Sequence, residues 1–107
     1  MEETNVFLGT ELKLNLSIEP IGALTMDDFD FSVELYCSAK RVFIVSKDKT
    51  LRVDENNYLI LVDSEVLGQG ELKCKVIASV PDDDFDDSIR TEVLMFDTGI
   101  RITKNLT

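Results

Sequence analysis

The sequence has no histidine and no tryptophan, and only two cysteines, Cys37 and Cys74, among 107 residues. Losing histidine removes the commonest general base and the commonest metal ligand. The paired-carboxylate chemistry of glycosidases needs a deep cleft, usually with flanking aromatics, and two tyrosines without tryptophan make that an unexpected use. Long apolar runs are also missing. The longest, Val42–Val45 and Tyr58–Val62, fall far short of the ~20 residues of a membrane helix. No phosphate-binding glycine loop, serine elbow or zinc-ligand spacing occurs. Positive charge is scarce: 11 Lys and Arg stand against 21 Asp and Glu, for a net charge of −10. Phosphate contacts need Lys and Arg, so no nucleic acid is expected as partner. An acidic surface also repels anionic lipid, so no membrane is expected either. The opening Met-Glu-Glu-Thr-Asn is acidic where a secretory leader is basic and then apolar. The protein is therefore expected to stay in the cell that makes it, unless a leader lies outside this sequence. These exclusions point to a chain that makes contacts rather than one that does chemistry, with no cofactor.

What is present is two-residue alternation. Leu12, Leu14, Leu16 and Ile18 alternate with Lys13, Asn15 and Ser17. Phe29, Phe31, Val33, Leu35 and Cys37 repeat the rhythm, as do Leu72, Cys74, Val76 and Ala78. Such alternation marks half-buried strands. The shorter stretches Arg41–Ser46 and Asn57–Val62 are more continuously apolar and read as strands nearer the centre of a sheet. Leu51–Val53, Thr91–Phe96 and Ile100–Thr103 add further strands. Asp63–Leu67 reads as one helical turn, with Asp63 or Ser64 as its N-cap and Gly68 or Gly70 as its stop.

Seven or so short strands with regular turns predict an all-β fold: an antiparallel two-layer β-sandwich, immunoglobulin-like in broad architecture. A small open barrel is the alternative. Residues 11–107 form the single domain and residues 1–10 an N-terminal arm, although Val6, Phe7 and Leu8 could add an edge strand. That apolar triplet has few neighbours in sequence to bury it, which makes Val6, Phe7 and Leu8 the candidate partner contacts. The expected core holds Leu14, Leu16, Phe31, Val33, Leu35, Leu59, Leu61, Leu72, Cys74 and Val76, with Tyr58, Ile60 and Val62 competing for the face given to Leu59 and Leu61. Both cysteines fall on the apolar phase. A disulfide across the sandwich is conceivable, but without an export signal two buried thiols are the expected state.

The sharpest local feature is Pro81-Asp-Asp-Asp-Phe-Asp-Asp87. Asp82, Asp84 and Asp86 begin like a calcium loop, but the sixth position is Asp87 instead of glycine and the twelfth is Val93 instead of glutamate. The expectation is a solvated loop without a metal, anchored by Phe85. A calcium- or carbohydrate-binding module using this loop is the alternative function. Asp27-Asp28-Phe29-Asp30 is a second acidic cluster, which joins the first only if the fold brings the two together.

Four segments carry a resemblance: Ile18–Tyr36, Arg52–Asp63, Gly68–Val76, and Pro81–Phe85 with Arg90-Thr-Glu-Val93. They resemble small β-sandwich proteins of Bacteroides-type phages and prophages over roughly residues 10–103. The rhythm of a "D-F-x-F-x-V" strand followed by an "L-G-x-G-x-L" corner is similar to the N-terminal domain of phage baseplate upper proteins. The resemblance implies a non-enzymatic virion module: capsid-decorating, head-fibre, or tail or baseplate attachment. Its partners would be other virion proteins or itself. Its location would be the virion, or the bacterial host cytoplasm during assembly. It supplies no catalytic residues.

Overall fold

Alternate burial along one strand organises the molecule. In β7 (Gly70–Pro81), Leu72, Cys74, Val76, Ala78 and Val80 are all buried, while the residues between them face outward. The computed structural model describes residues 4–104. Around β7 stand β1 (Thr4–Phe7), β2 (Glu11–Ser17), β3 (Asp30–Cys37), β4 (Lys40–Ser46), β5 (Leu51–Asp54), β6 (Asn57–Asp63) and β8 (Ile89–Thr103). A five-stranded sheet has the order β1-β8-β7-β3-β4, and a three-stranded sheet the order β2-β6-β5. With β2, β6 and β5 as strands B, E and D, and β8, β7 and β3 as G, F and C, this is the variable-type immunoglobulin arrangement, β4 standing in the C′ place. The two sheets do not close into a barrel.

The inner faces meet over Leu16, Phe31, Val33, Leu35, Tyr58 and Ile60, among others. Phe31 packs edge-to-face on Tyr58, ring centroids 5.4 Å apart, and so joins the two layers. Both cysteines are buried and unbridged. In antibody domains the disulfide ties strand B to strand F. Here Cys74 is on β7 but Cys37 is on β3, displaced by two residues along the adjacent strand. Burial raises both thiols, Cys74 to about 11, so neither is primed as a nucleophile.

The joints follow their turn chemistry. Ser38 and Ala39 both take positive φ, 53° and 66°, which suits the two-residue β3–β4 hairpin. Across it, Gly70 (φ 129°) approaches so closely that an added Cβ would lie 1.7 Å from Ser38 Oγ. The helical turn α1 (Ser64–Leu67) starts on Asp63, whose side chain accepts from the Glu65 N–H, and stops at Gly68.

Three expectations are corrected. Residues 4–7 take the alternative read from the sequence, an added edge strand in place of an arm: β1 runs parallel to β8, Thr4 beside Ile100 and Phe7 beside Thr103. The link to β2 is fastened to Ser64, whose Oγ accepts from the Gly9 N–H at 2.8 Å and whose N–H donates to Thr10 O at 3.0 Å. Residues 1–3 of the expected arm, like residues 105–107, lie outside the described residues. Next, the inward face of β6 is Tyr58, Ile60 and Val62; Leu59 is only partly buried and Leu61 is 53% exposed. Apolar side chains on both phases hide the choice, and the ring contact of Tyr58 with Phe31 decides it. Finally, β6 is the middle strand of its sheet, but β4 is an edge strand with Ile44 54% exposed. Ile60→Ala is expected to cost about 2–5 kcal/mol by lost transfer energy and cavity formation, and Leu61→Ala no more than about 0.5 kcal/mol. Urea melts of the two variants check the assignment; equal losses would reverse it.

Candidate protein-contact faces

The outer face of the large sheet is set by the same alternation. Along β8, Ile89, Val93 and Met95 project outward and are 44%, 54% and 61% exposed. Val93 pairs with Ile77 of β7, giving an aliphatic patch in the middle of the face. Toward one end lie Lys73 and Lys75 of β7, with Asp97 of β8 beside Lys73 and Glu34 of β3 beside Lys75, and then Arg41 of β4. Lys73 and Lys75 form no ion pair among the described residues. Glu34, nearly buried on this face, accepts from Tyr36 Oη at 3.0 Å and lies 3.5 Å from Arg41. That hydrogen bond raises the Tyr36 phenol. Toward the other end lies the Asp82–Asp87 loop.

The outer face of the small sheet is apolar as well. Leu51 of β5 pairs with Leu59 of β6. With Val53 and Leu61 they form a second aliphatic patch, in which Leu51, Val53 and Leu61 are each more than half exposed. Soluble domains usually scatter such residues singly, so a patch on each face of one sandwich makes both faces candidate contact surfaces.

Of the expected contacts, Val6 and Leu8 pack against the core, and Leu8 N–H donates to Thr103 O at 2.7 Å. Phe7 alone is presented outward, 55% exposed. Val6 and Leu8 are partly buried beside the end of β8, which leaves Phe7 as the exposed member of the triplet. The signal that would have found the two faces is the continuous apolar run. In a sandwich with one inner side, Tyr58–Val62 and Val93–Phe96 must send every second side chain outward.

The acidic loop closes on itself. Asp82 N–H donates to Ser88 O at 3.0 Å, and the Asp82 carboxylate accepts from Asp84 N–H at 3.0 Å and from Arg90 Nη1 at 2.6 Å. No group of three side chains suited to a metal ion occurs among the described residues, so Asp82, Asp84 and Asp86 are not brought together as ligands. Phe85 is 47% exposed and does not anchor the loop, contrary to expectation; Arg90 holds it instead.

The second acidic cluster has been put to structural use. Asp27 accepts from Arg52 Nε at 2.8 Å and Nη2 at 2.7 Å, and also from Tyr58 Oη. Lys47 Nζ donates to the carbonyls of Met26 and Phe29, both at 2.8 Å, and sits 5.7 Å from the Phe31 and Tyr58 ring centroids. Together they clamp the β2–β3 connection over one end of the core. An open groove of about 440 Å³ runs beside the free edge of β2, floored by Leu14, Ile60, Cys74 and Phe96. Lys13, Asp97 and Thr98 also line it, and the Cys74 thiol there is held protonated by burial. No helix among the described residues is long and apolar enough to cross a membrane. No family model, curated protein or solved structure matches the chain.

Arg52 and Tyr58 hold the Asp27 carboxyl down, from 3.8 to about 2. A group lowered on folding stabilises the fold fully above its unfolded value and loses that effect as pH falls through the folded one. Asp27→Asn is therefore expected to lower the melting temperature by a constant amount at pH 5–7, with the gap to wild type closing between 3.8 and about 2. Thermal melts across that range check it; a gap that widens with acid would contradict the clamp. Calorimetric titration with calcium is expected to show no binding in the micromolar range, the affinity a built loop would reach.

Proposed function

We propose that this protein is a non-enzymatic structural module that works by being packed between neighbours through the two outer faces of its sandwich. The observation that carries the reading is the aliphatic patch on each face: Ile77, Val93 and Met95 on one, Leu51, Leu59 and Leu61 on the other. A module with two opposed apolar faces suits a layered assembly, in which each face is covered once the assembly forms. The patterned likeness to phage β-sandwich proteins supports a virion as that assembly, with the chain as a decorating, fibre or baseplate-attachment part. Its net charge of −10 keeps the free module soluble before incorporation.

The test is incorporation. Particles purified on density gradients from cells carrying the gene are expected to contain the chain at stoichiometric copy number by quantitative mass spectrometry. Leu51→Glu/Leu61→Glu is expected to reduce its particle content by about tenfold or more, since each buried charge costs several kcal/mol. Both residues are exposed in the free protein, so the variant's melting temperature should hold. Wild-type chain absent from the particles would remove the virion role.

A further inference from the structure

The small sheet ends at β2, whose outer edge pairs with no other strand among the described residues. Which backbone groups reach that edge follows from the ladder on the other side. Ser64 N–H donates to Thr10 O at 3.0 Å and Ile18 N–H to Asn56 O at 3.3 Å, both in the register that pairs β2 with β6. Residues alternate in an antiparallel ladder. Leu12, Leu14 and Leu16 therefore turn their N–H and C=O groups to β6, and Glu11, Lys13, Asn15 and Ser17 turn theirs to the free edge. That row repeats every ~6.8 Å, a spacing that only an extended backbone matches. In the immunoglobulin arrangement the place beside strand B belongs to strand A. Here β1, the first strand, is taken up by β8 in the other sheet.

The side chains specify what kind of strand belongs there. Leu14 holds the middle of the inward phase yet is only partly buried, while Leu12 and Leu16 on either side of it are buried. Phe96 and Ile100 of β8 also face inward and stay partly exposed. All three border the groove of about 440 Å³ between the edge and β8. Lys13, on the outward phase, is exposed and forms no ion pair among the described residues. We propose that the edge of β2 receives, antiparallel, a single extended segment of a neighbouring chain, with alternating polar and apolar residues. Its apolar side chains enter the groove and a carboxylate stands opposite Lys13. A lysine on an edge strand deters pairing with its own copy, since a pair centred on it sets Lys13 on Lys13, but it favours an acidic partner. The groove makes the same choice by shape. β8 lines it from the large sheet, which leaves room for one strand but not for a strand that brings a second sheet with it. The strands of a second copy all carry such a sheet. The inference concerns an edge, and so goes beyond the contact reading of the two outer faces.

The probe is the peptide Thr-Val-Thr-Val-Glu-Val-Thr, amidated at its C-terminus, labelled with fluorescein at its N-terminus and titrated with the full chain. Laid antiparallel from Ser17 to Glu11, it sets its central valine opposite Leu14 and its glutamate opposite Lys13. Fluorescence anisotropy is expected to give a Kd of about 100 μM or tighter. N-methylation of the second threonine, whose N–H points at β2, is expected to raise Kd about tenfold or more. N-methylation of the central valine, whose N–H points away, is expected to raise it less than about threefold. Lys13→Glu is expected to weaken binding about tenfold, and to take up the same peptide with lysine in place of its glutamate, which shows that the variant is folded. No binding up to about 1 mM, or equal losses from the two methylations, overturns the inference. Neither result touches the contact reading, which is decided by particle content and by Leu51 and Leu61.

Discussion

The constraint on which the molecule depends is the unbroken two-residue period of β7. Five consecutive inward positions are buried, and the strand pairs along its whole length with β8 on one side and over Leu72–Ser79 with β3 on the other. A single-residue slip would exchange Val76 for Lys75 in the core, a cost no loop could offset. The register of β3 and β8 is thereby fixed, and with it the outer face: once Leu72, Cys74 and Val76 point in, Lys73, Lys75 and Ile77 must point out. The basic row and the aliphatic patch follow from the packing of the inner side.

The polar contacts have a different task. Strand pairing alone leaves the long β2–β3 connection without a sheet to lie on. Lys47 and Arg52 fasten it by donating to backbone carbonyls and to Asp27, and Met26 and Phe29 are buried beneath. The ammonium of Lys47 beside two aromatic rings has its hydration replaced by two carbonyls and the ring faces, a setting in which a cation is tolerated near a core. Within the acidic cluster Asp27 is taken up by Arg52 and Tyr58, while Asp28 accepts from Thr25 and Asp30 from the Phe31 N–H.

The strands with apolar residues chiefly on one phase, β2, β3 and β7 with Ile77 as its outward exception, were legible from the sequence, because alternation has one solution there. The helical turn after β6 was legible too, since Asp63 and Gly68 are chemically suited to its two ends. The phase of β6 was not, because Tyr58, Ile60 and Val62 compete with Leu59 and Leu61 and only the contact with Phe31 separates them. The edge position of β4 was hidden by the apolar run Val42–Val45, which reads as interior while Ile44 stands exposed. The Asp27–Arg52 bond joins residues 25 apart and leaves no local trace. The two outward apolar patches were present in the sequence as runs too continuous for a one-sided sandwich, a signal visible only once the number of layers is known.

The parallel pairing of β1 with β8 also orders events in time. Thr4 has its partner at Ile100, 96 residues later. At ~5–20 residues per second, a ribosome takes about 5–20 s to supply that partner. During this interval the nascent chain carries Val6 and Leu8 with nothing to cover them. The hairpins of β3 with β4 and of β5 with β6 close early, since their partners are near in sequence, while β8 completes the place of β1 much later. Closure of the large sheet therefore waits for β8, and is set by the pace of synthesis and by whatever shelters β1 until then.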